Sequence, residues 1–491
     1  MSILGQKIQQ VFGPAAVYKN PENYDVFTGR NLPSFIKDYL ISTHVTPDGK
    51  FHREQLTRFL DAHIPADNNA VKARLMSGET MTLLTRFIVN TNLTRNKVEF
   101  QIPDMGIKFG DTEIPRYLVE ENPQDLIDGE RWGILKLVYV APEPGIAGHV
   151  EMIKFKPFRP MERLDIAAFR ECRKKFTTDE WIDVLISAME YNPDSFASKT
   201  QKLEFLTRLL PFVEPRTNMI ELAPKGTGKS FVFNNLSKFV WLISGGKVSR
   251  AKLFYDKQKQ LPGIMRFYDT VAFDEIQSIS FTDGPEMQSF LKAYLEDGKT
   301  KVDNYEFMSE CGLMLLGNIL LREDGYPIEH TYVKELPEIF KESALLDRFH
   351  GFIEGWLLPR INNSMIISDW TINVEFFSEI LHQLRTAPEY AVTVNNAISF
   401  PKDADTRHLK AVKKLATGYL KLLFPHVTSV NELNPEDFET YCLNPAIHRR
   451  DIIRQQCANV NPEPTFLKPM PEITVKDFSS LSSIDDLMKF D

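Results

Sequence analysis

The chain has 491 residues, with 58 Lys+Arg against 66 Asp+Glu and a formal net charge of −8. Its 43% hydrophobic, 25% charged and 11% aromatic content excludes a disordered chain, a collagen-like repeat and a disulfide scaffold. The length suits about three domains. The mild acidity argues against binding nucleic acid by bulk charge, while a local basic lining stays open.

Residues 1–80 read as mostly helical: Leu56, Phe59 and Leu60 fall at i, i+3 and i+4, the spacing of a buried stripe. Residues 85–90, 97–102, 132–140 and 149–155 are β-branched or alternating, and Glu143-Pro144-Gly145 reads as the turn of a hairpin. The expectation for 1–160 is therefore a helical and β-rich, barrel-like domain. Helical periodicity returns over 161–212 as a connector. From 213 to 368 strand, glycine turn, helix and strand alternate, which means a parallel sheet with helices on its faces. Residues 369–460 read as helical, and 461–491 as a tail bearing proline and serine.

Cys172, Cys311, Cys442 and Cys457 are far apart, which suits reduced thiols. The ten histidines are scattered without an H-E-x-x-H pair, so no zinc site is expected. The N-terminus lacks a charged start followed by an apolar run, and the longest apolar stretches, such as residues 239–244, are far shorter than the roughly 20 residues of a membrane helix. The expectation is a cytoplasmic protein with no membrane partner.

The sharpest feature is NMIELAPKGTGKS at 218–230, an apolar strand running into a glycine turn and then a helix expected to continue through KSFVFNNLSKFVWLIS. Gly226 and Gly228 let successive N–H groups curl around phosphate oxygens, and the helix N-terminus adds its dipole. Ala223, Pro224, Lys225, Gly226, Thr227, Gly228, Lys229 and Ser230 thus form a candidate P-loop. Lys229 would reach the β- and γ-phosphates of ATP, and Ser230 would bind Mg²⁺. Ala223 replaces the first glycine of the motif, which a negative φ permits.

About 45 residues after Lys229, the apolar run TVAF ends in Asp274-Glu275. Asp274 would hold Mg²⁺ and Glu275 would act as general base on the attacking water. The strand GLMLLGN ends in Asn318, which would orient that water; a turn-forming asparagine is the plain alternative. Arg348, in SALLDRF, is either a solvated arginine or a finger reaching a neighbouring subunit's nucleotide. Arg407 follows Asp405, a good helix N-cap, and is a candidate second phosphate sensor on an otherwise solvated face.

ELAPKGTGKS, TVAFDE, the Asn-ended strand and ALLDRF together resemble AAA+ ATPases. With the later SGGKVSRAKLFYD, the chain resembles more narrowly the BrxL family, the Lon-related AAA+ proteins of BREX bacteriophage-resistance systems. The resemblance implies an α/β AAA+ core with a C-terminal helical lid and an N-terminal α+β domain like that of MCM helicases, β-rich and OB-like. It implies a homo-oligomeric ring, a hexamer with stacked rings open, acting on double-stranded DNA beside other BREX components. By position it assigns Lys229, Ser230, Asp274, Glu275 and Asn318 to the nucleotide site, Arg348 to the finger and Arg407 to sensor 2. It also puts a pore hairpin at LEDGKTKV, turning at Asp297-Gly298, with Lys299 and Lys301 near DNA; two solvated lysines are the alternative.

Longer relatives continue into a Lon-like protease domain with a Ser–Lys dyad. Ser479, Ser480, Ser482 and Ser483 lie in a polar, acidic tail, so protease activity is not expected. Basic residues in 154–163 and 173–176 suit phosphate contacts or a solvated surface. The function expected is ATP hydrolysis driving a ring on DNA in phage defence. The alternative is an ATP-dependent unfoldase that partners a protease.

Overall fold

The computed structural model describes residues 2–476, apart from 31, 46–50, 93–95, 124, 127–128, 145–146, 159–163, 259–260, 283 and 303. The serines at 479–483, Gly145 of the expected turn and 159–163 of the basic stretch lie outside the described residues. The chain divides into two units, Lys19–Arg163 and Met1–Tyr18 with Leu164–Asp491.

The smaller unit sets short helices beside a five-stranded sheet. Met81–Asn92 pairs antiparallel with Lys97–Gln101 on one side and Gly129–Val140 on the other, and His149–Pro157 continues the antiparallel run. The two-residue strand Thr112–Glu113 lies parallel to Val150–Glu151. Ile114 also bridges to Val98, donating its N–H to Val98 O at 2.7 Å. The two edge strands thus meet, and Leu83, Phe87, Phe100, Leu135, Leu137 and Met152 fill the interior between them.

The larger unit holds the parallel sheet. Its strands are β1 (Met219–Ala223), β2 (Val240–Val248), β3 (Thr270–Phe281), β4 (Gly312–Asn318) and β5 (Gly351–Glu354), in the order β5-β1-β4-β3-β2. All neighbouring pairs are parallel. β1 is buried throughout and β4 except at Asn318, as apolar runs covered on both faces should be. In a parallel sheet every strand delivers its C-terminal end to one edge, where ligands bind.

Three expectations change here. The helix after the glycine turn, α1 (Lys229–Asn235), is short, and the apolar run that seemed to continue it is β2. A run of four to eight apolar residues has no period that separates strand from helix. Asp297-Gly298 is not a hairpin turn. It ends the helix α2 (Gly284–Asp297), with Gly298 at φ +79 donating its N–H to Tyr294 O at 2.7 Å. Finally, residues 2–18 leave the expected 1–160 domain and pack with the larger unit. Phe12 stacks among Phe169, Phe176, Trp181 and Phe376, and Ala16–Tyr18 pairs with Trp370–Ile372.

Beyond β5 come the helices α3 (Val374–Arg385), α4 (Thr406–Leu423) and α5 (Asn444–Val460). Asp405 caps α4, accepting from the N–H groups of Arg407 and His408. Among the described residues, no helix is long and apolar enough to cross a membrane.

Candidate nucleotide site

The loop after β1 turns at Gly226 (φ +85) and Gly228 (φ +77), conformations that favour glycine. Ala223 ends β1 with an ordinary negative φ. Its methyl fits because residue 355 is glycine: a Cβ there would come within 2.2 Å of the Ala223 Cβ. Two loop carbonyls are tied back. Ile361 N–H donates to Gly226 O at 2.8 Å, and Arg208 Nη1 donates to Thr227 O at 2.9 Å. Such anchoring leaves the loop's N–H groups for an anion.

Arg208 is fully buried and pairs bidentately with Glu221 of β1, at 3.0 and 2.6 Å. A buried carboxylate in an apolar strand is tolerable only with such a partner.

Lys229, also buried, has its ammonium 3.2 Å from Ala223 O, 3.3 Å from Pro224 O and 3.3 Å from Asn318 Oδ1. Burial pulls its pKa below the ordinary value, with Glu221 pulling the other way. Three long bonds to neutral oxygens are a weak environment for a buried cation, and a phosphate would supply the charged acceptor. The donor set therefore fits a nucleotide triphosphate. Ser230, in the first turn of α1, is exposed.

The first unbroken run of register between β3 and β2 ends at Asp274, a buried carboxylate opposite Ser244 of β2. Register then slips, and pairing resumes at Ile279 opposite Gly246. Glu275 stands on this bulge at φ +47, exposed, with its N–H on Asp274 Oδ1 at 3.0 Å and its C=O accepting from Ser278 Oγ at 2.8 Å. A glutamate in the left-handed region costs about 1 kcal/mol, and such strain clusters at functional sites. On β4, Asn318 lies opposite Ala223 and close to Lys229. Gln277 holds its backbone on both sides, with Nε2 2.6 Å from Asn318 O and Oε1 3.2 Å from Asn318 N.

The arginines lie elsewhere. Arg348 is three residues ahead of β5, at the N-terminal edge of the sheet. Arg407 joins it there: its Nη1 is 2.6 Å from Asp347 Oδ2 and its Nη2 3.0 Å from Glu296 Oε2. Arg348 Nη1 is bonded to Ala344 O, and its Nε is 3.0 Å from the same Glu296 oxygen. Fully buried Arg450 of α5 fixes this segment, donating to Asp347 O at 2.9 Å and Phe349 O at 2.7 Å. Burial would push the Asp347 carboxyl up, and Arg450 and Arg407 together hold it below its ordinary value.

After α2 the strands Lys299–Val302 and Tyr305–Met308 form an antiparallel hairpin, Lys301 facing Glu306 in register. Lys299 and Lys301 are exposed, while Thr300 and Val302 point inward. The two lysines, Glu296 and Arg348 line one cavity of about 490 Å³.

A family model described as "Lon-like protease BrxL-like, ATPase domain" matches residues 150–468, and another described as "BREX system Lon protease-like protein BrxL N-terminal" matches 10–139. The chain belongs to the BrxL family. The BrxL ATPase match contains every candidate nucleotide-site residue named above. Proteins named Lon-like protease BrxL from Escherichia coli O9:H4 (strain HS) and Bacillus cereus (strain H3081.97) are each 26% identical over 434 residues, 87% of this chain. The chain spans 61% and 63% of their lengths. A BrxL ATPase domain implies use of a nucleotide, ordinarily with Mg²⁺.

Sequence reasoning missed Arg208, Glu221, Gln277 and Glu296. Only Glu221 carries a local signal, a lone acid inside MIELA; the others matter through partners distant in sequence.

Proposed function

We propose that the protein is an ATP-hydrolysing AAA+ ring motor that acts on double-stranded DNA in BREX-type bacteriophage resistance. The observation that carries this reading is the split between two edges of one sheet. Lys229, Asp274 and Asn318 stand at the C-terminal edge, and Arg348 with Arg407 at the other. β1 has five residues, so the edges are roughly 16 Å apart. A finger at that distance serves a neighbour's nucleotide rather than its own, which calls for a head-to-tail ring; the family resemblance suggests a hexamer, with stacked rings open.

In this reading residues 223–230 hold the triphosphate, and Ser230 and Asp274 hold Mg²⁺. Bound Mg-ATP supplies the electrophilic γ-phosphate and offsets its charge. Glu275 accepts the proton of the attacking water, Asn318 orients that water, and the neighbour's Arg348 and Arg407 meet the charge that develops. Lys299 and Lys301 present cations to DNA phosphates from the hairpin. The closed five-stranded sheet of the smaller unit supports an OB-like DNA-binding role. The helices over 369–460 act as the lid.

The test mixes two inactive variants. Lys229→Ala lacks a competent site, Arg348→Ala lacks the finger, and Glu275→Gln should bind ATP without hydrolysing it. An equal mixture of the first two should regain roughly a quarter of wild-type ATPase, because head-to-tail neighbours complement. No recovery after verified subunit exchange removes the trans finger. ATP-dependent unfolding of casein with no DNA binding at about 50 mM salt, where phosphate contacts are strong, would favour the unfoldase instead.

A further inference from the structure

The two arginines at the N-terminal edge converge on one oxygen. Glu296, in the last turn of α2, places Oε2 3.0 Å from Arg407 Nη2 and 3.0 Å from Arg348 Nε. The first contact is a hydrogen bond. The second is charge alone, because the buried Arg348 Nε–H finds no acceptor. Each guanidinium has one other anchor: Asp347 for Arg407 and Ala344 O for Arg348. Two cations therefore share one anionic oxygen, and one buried N–H is left over. That arrangement is what a terminal phosphate oxygen would receive from the same pair.

We propose that Glu296 is a positioning residue for Arg348 and Arg407, standing in the unengaged subunit where the neighbour's γ-phosphate stands during hydrolysis. The inference rests on the trans reading of the arginines above. The carboxylate keeps both guanidiniums together and aimed at one point. It must then give them up: the phosphate has to displace it, and the spare Arg348 Nε–H gains an acceptor when it does. Glu296 has 43% of its side chain exposed, so the released carboxylate returns to water. The contact is thus a brake on hydrolysis in the next subunit.

The setting couples the brake to the hairpin. Glu296 is the penultimate residue of α2, the C=O of Asp297 is bonded to Arg216, and Lys299 begins the hairpin two residues later.

The experiment compares steady-state ATPase of wild type, Glu296→Gln and Arg348→Ala at ring-forming concentration without DNA. Glu296→Gln should raise kcat by about 3- to 10-fold, the size of one or two exposed ion pairs. Nucleotide affinity in a Glu275→Gln background should not change, because the subunit's own P-loop is untouched. The ratio of variant to wild type should shrink as salt rises from about 50 to 500 mM, since an exposed pair is screened. A kcat unchanged or lowered by Glu296→Gln overturns the inference, as does a ratio indifferent to salt. If the Gln variant does not assemble, Glu296→Asp carries the test: its shorter carboxylate withdraws from the pair, and kcat should rise by about half as much on a logarithmic scale. No rise with Asp overturns the proposal too. If Arg348→Ala keeps wild-type activity, the trans reading itself has failed. If Arg348→Ala is inactive and the Glu296 variants match wild type, only this inference has failed.

Discussion

Replacing Arg208 by methionine should damage the fold more than the nucleotide site, and a second substitution should reverse that order. Arg208 and Glu221 are both fully buried and bonded through two N–H···O contacts. Removing the cation alone leaves Glu221 buried and unpaired, which costs about 3–5 kcal/mol. Replacing both, as Arg208→Met with Glu221→Leu, exchanges the pair for apolar volume and should return stability to within about 1 kcal/mol of wild type. The double variant still lacks the donor to Thr227 O. Losing one charge-assisted bond there costs about 1.5 kcal/mol, or roughly tenfold in ATP affinity. Glu221 raises the pKa of Lys229 and Arg208 lowers it, so removing both takes away two opposing influences on the lysine. The affinity loss would then report loop geometry. Urea unfolding by tryptophan fluorescence suits the first measurement, because four of the five tryptophans, Trp181, Trp241, Trp356 and Trp370, lie in the larger unit. Titration with a fluorescent ATP analogue suits the second. A single variant as stable as wild type, or a double variant that binds ATP as tightly, refutes the reasoning.

His350 makes stability depend on pH. Its Nδ1 accepts the Asn218 N–H at 3.0 Å, and burial, with Lys414 and Arg450 nearby, holds its pKa well below the ordinary value. The unfolded chain therefore takes the proton first. This stabilisation is complete above about pH 6.5 and declines below it by about 1.4 kcal/mol per pH unit. Melting curves from pH 7.5 to 5.5 should show the decline, to which the lowered pKa values of His408 and His426 add, and His350→Asn should make it shallower; equal slopes would show that His350 does not titrate this way. At the hairpin, Lys299→Ala with Lys301→Ala should lower the slope of log K for DNA against log salt by about 2. An unchanged slope takes both lysines out of the DNA path.

The strand–loop–helix around 223–230 and the acidic pair Asp274-Glu275 after a buried strand run are legible because the residues that shape each lie in one continuous stretch. The supports around them are not. Arg208 meets Glu221 across 13 positions and Thr227 across 19, and Gln277 reaches Asn318 across 41. No local pattern announces such pairs. The helix read through residues 229–244 failed because aromatic and β-branched residues carried it past Asn235 without a period. Asp297-Gly298 failed for another reason: the dipeptide suits both a tight turn and a helix end, and fourteen residues of α2 upstream decide between them. Phe12 packs with the larger unit through ring partners that begin at Phe169, beyond the reach of any local pattern.

Which residues can act within one subunit follows from the end of the strand each occupies. Lys229 follows β1, Asp274 closes the first run of β3 before its bulge, and Asn318 closes β4 opposite Ala223. These residues meet because parallel strands bring their C-terminal ends to one edge. Arg348 precedes β5, and β5 runs parallel to β1, with Gly351 opposite Met219. No rotamer of Arg348 covers the length of β1, so under the proposed function its cation would reach a γ-phosphate only where a second copy presents its C-terminal edge. Arg407 shares that fate because Asp347 and Glu296 hold it beside Arg348. Had Arg348 followed β5 instead of preceding it, a monomer could bring it to its own glycine loop. Placed where it is, hydrolysis should rise more than linearly with protein concentration below the assembly threshold. Strictly proportional rates down to the monomer would show that the N-terminal edge plays no part in the chemistry.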